Sequence, residues 1–194
     1  MAQTTGRPIR DELVASALEL AQTVGIESFS YADIAQKVGI KTASIHHHFR
    51  FKHDLVAELL RRYRIEFNAR ADDLARIANA EQRLHAYAVL FAQVAGQGRM
   101  CLCGMSAAEW SSIGAEGQRE VTAFLNEQRD WLRTTLVEGI DQALFRTELE
   151  VDTHAELLLV ALEGAVLLGR ARNETPSATD VMNHAIHLIR SEHP

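Results

Sequence analysis

Cysteine, proline and aromatic residues are scarce in this 194-residue sequence, which contains two Cys, three Pro and 6% aromatic residues. Two cysteines are too few for a disulfide-stapled scaffold, and the low proline and glycine content excludes a collagen-like or low-complexity chain. No apolar run reaches the roughly 18 residues of a membrane span, and residues 1–10 contain no apolar segment typical of a signal peptide. We therefore expect a globular cytoplasmic protein with no membrane partner and a sizeable core.

Charge is distributed unevenly along the chain. The net charge of −6 argues at first against a nucleic-acid partner. Residues 1–70, however, carry ten Lys or Arg against eight Asp or Glu, whereas residues 71–194 carry ten against eighteen. The first part is therefore +2 and the rest is −8, a modest asymmetry that is weak evidence for DNA binding by the N-terminal third.

Apolar residues recur with helical spacing along almost the whole chain, and no run shows the alternation of a strand. The first helix ends at Gly25. Ser30 and Asp33 have the spacing of a capping box, which opens a short helix ending at Gly39, and Thr153 repeats that signal later. The other predicted helices span residues 42–48, 52–78, 81–95, 101–112, 117–144, 153–172 and 177–191. The predicted fold is all-α, with about nine helices.

The segment from residue 30 to residue 49 has the form of a helix-turn-helix, which places its second helix in the major groove of DNA and braces it with the first. Small Ala35 lies where the two helices must approach closely, and Gly39 permits the turn. Apolar residues of the first helix and the turn can form the internal core; these are Ile34, Val38 and Ile40. Short polar residues of the second helix can face bases or phosphates; these are Lys41, Thr42, Ser44 and His47.

These residues carry a family resemblance. The run SYADIAQKVGIKTASIHHHF at residues 30–49, followed by Lys52, resembles the TetR family of bacterial repressors. That family has Ser or Thr, then Asp-Ile-Ala, Gly-Val-Ser, a small residue, Leu/Ile-Tyr-x-His-Phe and a Lys. The resemblance covers roughly residues 9–60. Residues 99–105, whose sequence includes Cys-Leu-Cys-Gly-Met, and residues 157–165 resemble one branch of the family more loosely.

The resemblance implies an all-α homodimer in which residues 1–51 bind double-stranded DNA and residues 52–194 bind a ligand and dimerise. The implied function is a ligand-responsive transcriptional regulator, most simply a repressor released from a palindromic operator by a small apolar or amphipathic effector. Two alternatives stay open: a repressor in which a cysteine senses electrophiles or redox state, and a helical ligand-binding protein that does not touch DNA. The sequence contains no nucleophile elbow, metal box or phosphate loop, so we expect neither catalysis nor a cofactor.

Seven residues are candidate DNA contacts: Ser30, Lys41, Thr42, Ser44, His46, His47 and Lys52. Lys41 stands where the family usually has a Ser that caps the recognition helix. Either Thr42 begins the helix instead, or the cap is lost at a cost of about 1 kcal/mol. His46 replaces a Tyr whose hydroxyl typically reaches a phosphate, and the imidazole is shorter. Lys52 opens a long helix, where the helix dipole disfavours a cation unless a phosphate lies there as well.

The three consecutive histidines do not form a metal site, because neighbouring helical residues point about 100° apart and cannot converge on one ion. We expect His47 to point toward DNA, His48 toward the packed interior and His46 toward the edge of the DNA backbone. Arg7 and Arg10 are further candidates for contact with the backbone or the adjacent minor groove.

The larger domain carries bulky residues, most of them core, and some of them can wall an apolar pocket between helices. The pocket candidates are Phe67, Tyr87, Phe91, Cys101, Met105, Glu109, Phe124 and Trp131. Glu109 and Glu163 fall in apolar stripes, where a carboxylate either pairs with an Arg or faces a ligand, and the Arg pair is the safer interpretation. Cys101 and Cys103 are either small buried fillers or, if Cys101 is exposed near a helix start, a thiol sensor.

The last two predicted helices carry wide apolar faces with small residues that let a partner helix approach. The predicted dimer interface consists of Leu158, Leu162, Ala165, Gly169, Met182, Ile186 and Ile189. Paired across a twofold axis, these faces form a four-helix contact, and the two DNA-binding heads read half-sites about 34–36 Å apart. The alternative is that both faces pack only within one monomer.

Overall fold

The structure is a computed structural model that describes residues 8–172 and 178–191. Within these ranges the chain forms nine α-helices and one short 3₁₀ turn, and the only β-type pairing is an isolated bridge between Phe145 and Arg190. The helices are α1 Ile9–Val24, α2 Tyr31–Val38, α3 Thr42–His48, α4 Lys52–Leu74, α5 Ala80–Gly96, α6 Leu102–Ala108, α7 Gly114–Asp141, α8 Val151–Arg172 and α9 Ala178–Ile189. The all-α prediction is confirmed.

Local signals account for the first three helices. α1 ends at Gly25, whose φ of 94° is open to glycine and unfavourable for other residues. α2 begins with the predicted capping box: the Ser30 hydroxyl accepts from the Asp33 N–H, and the Asp33 carboxylate accepts from the Ser30 N–H at 2.7 Å. Gly39 ends α2 in the left-handed conformation.

Helix limits differ from the predictions where a nearby cap or break decides them. α4 ends at Leu74 and not near residue 78, and Asn79 then caps α5 by accepting from the Gln82 N–H. α8 begins at Val151, so Thr153 lies inside the helix and does not cap it. The helix predicted at 101–112 is divided into α6 and a 3₁₀ turn at Trp110–Ser112. The start predicted at residue 177 lies outside the described residues.

Packing divides the chain into two compact units. The first unit contains the described residues up to Arg64 together with Leu102–Thr122. Its core includes the fully buried side chains of Leu13, Ile34 and Ile45, one from each of the first three helices. Ion pairs join α1 to α4 in this unit, where Arg62 bonds both Asp11 and Glu58 at 2.7 Å.

The second unit contains Ile65–Cys101 and the described residues from Ala123 onward. In it α5 packs against α8 and α9. Gly139 of α7 lies directly against the Phe145 ring, where a larger residue has no room. The functional division predicted from the sequence, at residues 1–51 and 52–194, stays a prediction. In the part of the chain that the structure describes, no helix is both long and apolar enough to span a membrane.

Candidate DNA-binding and effector sites

The helix-turn-helix is held rigidly from inside. Ile45 anchors α3 because its side chain is completely buried, while the rest of that helix is exposed or half-buried. The buried Tyr31 hydroxyl, at the start of α2, donates to the Phe49 carbonyl at 3.0 Å, just after α3 ends. Burial raises the pKa of Tyr31 to about 12, so the phenol keeps this proton at neutral pH. The position of α3 relative to α2 is therefore fixed before any DNA binds.

α3 presents polar side chains on its outer face. Lys41, Thr42 and His47 are exposed, and Ser44 is half-buried. Lys41 occupies the N-cap position and makes no side-chain hydrogen bond to the helix. α3 does begin at Thr42, but the cap itself is lost, as the second of the two sequence-based alternatives predicts.

Two of the remaining candidates make contacts within the chain. The Ser30 hydroxyl is bound to Asp33 in the capping box. The exposed His46 ring packs edge-on against Tyr31, with 4.9 Å between ring centroids, and its Nδ1 lies 3.3 Å from the Arg50 carbonyl oxygen. His48 is exposed, so the prediction that it turns into the interior is wrong; Ile45 fills that position because it lies on the inner face of the short helix.

Lys52 is directed into the protein. Its ammonium donates to the Phe29 carbonyl and lies 4.4 Å from the centre of the Phe29 ring. Burial lowers its pKa, while the carboxylates of Glu109, Glu27 and Asp33 act in the opposite direction. Because an ammonium has three N–H groups, the bond to Phe29 leaves donors for a phosphate. The phosphate contact therefore stays a prediction, now beside a clear structural role.

Arg10 also makes internal contacts, while Arg7 lies outside the described residues. The Arg10 guanidinium bonds Glu58 at 3.1 Å and lies 5.0 Å from the centre of the Phe49 ring. It thereby holds α1 against α4 and the end of the helix-turn-helix.

Five of the eight pocket candidates meet in the second unit. Phe67 contacts Tyr87, Phe91 and Phe124 edge-on, with ring centroids 5.2–6.1 Å apart. Tyr87 stacks on Trp131 with centroids 4.6 Å apart. We call these five residues the aromatic cluster.

Polar bonds connect the aromatic cluster to the surface. The Tyr87 hydroxyl donates to Gln128, which donates to Asn68, which in turn donates to Glu127. The Trp131 indole N–H donates to the Ala71 carbonyl at 3.1 Å. Gln128 and Trp131 also line a groove of about 500 Å³ between α4 and α7.

Cys101 lies in the same unit as the aromatic cluster, beside Glu163 of α8. The Cys101 thiol donates a hydrogen bond to the Glu163 carboxyl. Burial raises the pKa of Glu163 to about 7, and the thiol bond only partly opposes this. The predicted Arg partner is not among the causes of this shift. The helical pattern predicts that Glu163 faces inward, but the identity of its partner is a tertiary property that this pattern does not reveal.

Met105 and Glu109 belong to the first unit and contact the turn between α1 and α2. Glu109 accepts hydrogen bonds from the backbone N–H groups of Ile26, at 2.6 Å, and Glu27, at 3.4 Å. A Cβ atom at Gly25 would lie 2.6 Å from its carboxylate, so glycine makes room for this contact. Glu109 therefore bonds backbone donors and not the arginine that the sequence favoured.

Six of the seven predicted interface residues are buried inside the chain. Leu158, Leu162, Gly169, Met182, Ile186 and Ile189 are buried, and Ala165 is half-buried. These six residues therefore pack within one monomer, as the alternative prediction stated. Other apolar side chains of α8 and α9 are more than half exposed; these are Leu157, Val160, Leu167, Leu168 and Leu188. Those on α8 form a stripe along the helix, offset from the predicted face.

The family is decided by comparison with known proteins. The sequence model of the family described as bacterial regulatory proteins, tetR family, matches residues 13–59 of this chain. A TetR-family transcriptional regulator from Agrobacterium tumefaciens is 31% identical, with a TM-score of 0.85 over 94% of this chain and 100% of that one. The chain belongs to the TetR family.

More distant TetR-like structures share its fold. The TetR transcriptional regulator from Legionella pneumophila is 24% identical, with a TM-score of 0.84 over 96% of this chain and 100% of that one. A transcriptional regulator from Saccharomonospora viridis, in complex with choline, is 22% identical, with a TM-score of 0.79 over 95% and 98%. No curated protein matches the sequence.

As a TetR-family member, the chain is a ligand-responsive DNA-binding regulator of transcription. Members of this family are generally not enzymes. Membership of the family sets aside the alternative of a helical ligand-binding protein that does not bind DNA. The cysteine-sensing alternative is not favoured, because Cys101 and Cys103 are 4% and 0% exposed, and thiol reactivity needs solvent access. In residues 8–172 and 178–191 no group of three or more His, Cys, Asp or Glu is arranged to hold a metal ion.

Proposed function

We propose that this TetR-family protein is a cytoplasmic repressor that binds a palindromic operator as a homodimer and leaves it when a small molecule binds the second unit. The observation that carries the proposal is the outer face of α3, which is polar and exposed while Ile45 and the Tyr31–Phe49 bond hold the helix in place. A preorganised helix of this kind suits the major groove. We assign the protein no catalytic step.

Within the head, Thr42, Ser44 and His47 are the proposed base-reading residues, since they project from the outer face of α3. Lys41 lies at the start of that helix, where it can reach the DNA backbone. Contacts with the DNA backbone add affinity without sequence preference, and they weaken as the salt concentration rises. His46 and Lys52 are proposed to contact phosphates with the donors that their internal bonds leave over. Ser30 is proposed to contact a phosphate by turning its hydroxyl hydrogen away from the Asp33 carboxylate.

The effector is proposed to bind at the aromatic cluster, where rings from α4, α5 and α7 meet. Sites between the helices of a bundle commonly take ligands with a large apolar part. The choline complex of the Saccharomonospora viridis regulator supports the idea that this fold holds a small organic molecule.

α6 is the proposed route from the effector to the head. It begins one residue after Cys101, whose thiol bonds Glu163, and Glu109 follows at its other end. Glu109 holds the backbone of Ile26 and Glu27, directly before the helix-turn-helix. A displacement of α6 would therefore pull on the turn that leads into α2. An effector acts this way only to the extent that it binds the two arrangements with different affinity.

The proposed homodimer pairs the exposed apolar stripes of α8 and α9. Leu157, Val160 and Leu167 recur along α8 at three- to seven-residue spacing on one side of the helix. Gly164 lies between them, and a Cβ atom there would meet nothing within 4 Å. A partner helix can therefore approach closely at the middle of the stripe. Such a self-complementary face is what a twofold axis requires.

Selection from a random duplex library tests the proposal directly. The purified chain should enrich an inverted repeat whose half-sites lie about one helical turn apart. His47→Ala should relax the preference within each half-site, whereas His154→Ala, which removes an imidazole from α8, should leave it unchanged. A library that shows no enrichment, or the same preference in His47→Ala, would contradict the proposed reading head.

A further inference from the structure

The carboxyl group of Glu163 lacks a complete set of partners. Within the described part of the chain, its Oε1 is the one buried side-chain oxygen or nitrogen without a hydrogen bond. The Cys101 thiol is the only hydrogen-bond donor among the causes of its pKa shift. A buried acceptor left without a donor costs about 1–3 kcal/mol, so native proteins rarely keep one unless something else binds there.

Among the described residues, no Lys, Arg or His is a cause of the shift in the pKa of Glu163. Tyr87 and Cys101 are the titratable groups that interact with it, and both are neutral in their protonated forms. Arg83, the buried cation of α5, is bound to Glu138 and to the Ile77 carbonyl. On the neighbouring helices, His85 of α5 pairs with Glu81, and His184 and His187 of α9 are exposed. Ionised Glu163 is therefore a buried negative charge without a countercharge among these groups.

The side chains next to this carboxyl suit a cation with an apolar body. Tyr87 interacts electrostatically with Glu163 and belongs to the aromatic cluster, in which Trp131 stacks on it. The faces of aromatic rings attract cations, and their edges and surfaces bury hydrocarbon.

The groove beside Trp131 is lined by negative charges, which add to the negative charge of ionised Glu163. Four carboxylates line it, and its one guanidinium, that of Arg83, is bound to one of them. These carboxylates are Asp72, Glu127, Asp130 and Glu138. Clustered charges of one sign raise the local concentration of an oppositely charged ligand. The groove therefore favours the approach of cations to the surface nearest the aromatic cluster.

We propose that the effector is a protonated organic amine whose ammonium group donates a hydrogen bond to Glu163 Oε1 while its apolar part packs on Tyr87. The inference rests on the proposed function, because it names the chemical class of the same effector. A neutral alcohol or amide would supply the missing hydrogen bond but would leave the charge uncompensated. An ammonium ion supplies both.

Proton release accompanies this binding. A carboxyl with a pKa of about 7 is half protonated near pH 7, and a bound cation favours its ionised form. Amine binding at pH 7 should therefore release up to about half a proton from Glu163 to the buffer. A neutral ligand does not favour the ionised form of Glu163, so its binding should release no proton.

The test compares 2-phenylethylamine with 2-phenylethanol, which has nearly the same shape and no charge at neutral pH. Calorimetric titration of the full chain should give at least tenfold tighter binding of the amine, with a heat that depends on the buffer because protons are released. Glu163→Gln should remove both the preference and the proton release. Glu156→Gln, which removes the same charge from an exposed position of α8, should retain them.

Equal binding of the two probes, no binding of the amine, or a preference that survives in Glu163→Gln would overturn the assignment. If Glu163→Gln does not fold, the wild type still decides: its affinity for the amine should rise between pH 6 and pH 8 while that for the alcohol stays flat. A flat profile for both contradicts the inference.

Operator binding, measured on the same preparation, separates this inference from the proposed function. Intact operator binding without an amine preference overturns only the ligand class. Absence of sequence-specific DNA binding overturns the proposed function, whatever the amine does.

Discussion

At the scale of single residues, the chain places carboxylates in environments that the sequence pattern does not distinguish. Glu109 and Glu163 both interrupt apolar stripes, yet Glu109 accepts two backbone N–H bonds and Glu163 keeps a buried oxygen without a donor. The helical period predicts that both face inward, but it does not say what lies opposite. The positions of both residues were therefore predictable, and their partners were not.

The raised pKa of Glu163 makes stability depend on pH in a defined direction. Its usual value of 4.5 applies to the unfolded chain, and about 7 applies to the folded protein. The unfolded state therefore releases the proton first, so stability is lost as pH rises from about 4.5 to 7 and is constant above that. At roughly 1.4 kcal/mol per pKa unit, the loss at pH 8 amounts to roughly 3–4 kcal/mol.

Glu163→Gln removes this titration, so it should stabilise the ligand-free protein at pH 8 and have little effect at pH 5. Thermal or urea unfolding at both pH values measures the difference, with Glu156→Gln as the control at an exposed position. A variant that is no more stable than the wild type at pH 8 would show that the Glu163 carboxyl is already satisfied in the free protein.

At the scale of helices, sequence signals located nearly every element, and local competition set the limits that they missed. The helix limits at Gly25 and Gly39 follow from glycine chemistry that is legible in the sequence. Thr153 gave a false start, because α8 already begins at Val151 and so places that residue inside the helix. A capping pattern indicates only that a helix can begin at that residue, and packing decides whether it does.

α3 offers a direct test of the missing cap. Lys41 has an extended backbone suited to an N-cap, with φ −80° and ψ 141°, but its side chain makes no bond to the helix. The Ser44 N–H already donates to the Lys41 carbonyl at 2.9 Å. Lys41→Ser supplies a hydroxyl that can accept from the Ala43 N–H instead, and this should stabilise the protein by about 1 kcal/mol.

The matched control for this change is Lys41→Ala, which removes the same charge without adding a cap. Thermal unfolding should rank Lys41→Ser above Lys41→Ala by about 2–4 °C. Equal melting temperatures for the two variants would mean that the first N–H groups of α3 already have partners.

At the scale of the whole molecule, the all-α fold and the family were predictable from the sequence, but which apolar face of α8 and α9 lies on the outside was not. The helical pattern correctly identified α8 and α9 as unusually apolar. It could not separate the face that covers the chain's own core from the face left outside, because both are apolar. The buried set includes Leu162 and Ile186, whereas Leu157 and Val160 stay exposed.

The central claim is that two copies of this chain, joined through α8 and α9, read two half-sites of one operator. Sedimentation of the chain with a duplex carrying the selected inverted repeat tests this most directly. We expect two protomers per duplex and at least tenfold weaker binding to a single half-site. Val160→Arg should give a monomer at micromolar concentration with at least tenfold weaker operator binding, whereas Val137→Arg, on α7, should behave as the wild type. A wild-type monomer at micromolar concentration that binds the operator at full affinity would contradict the account.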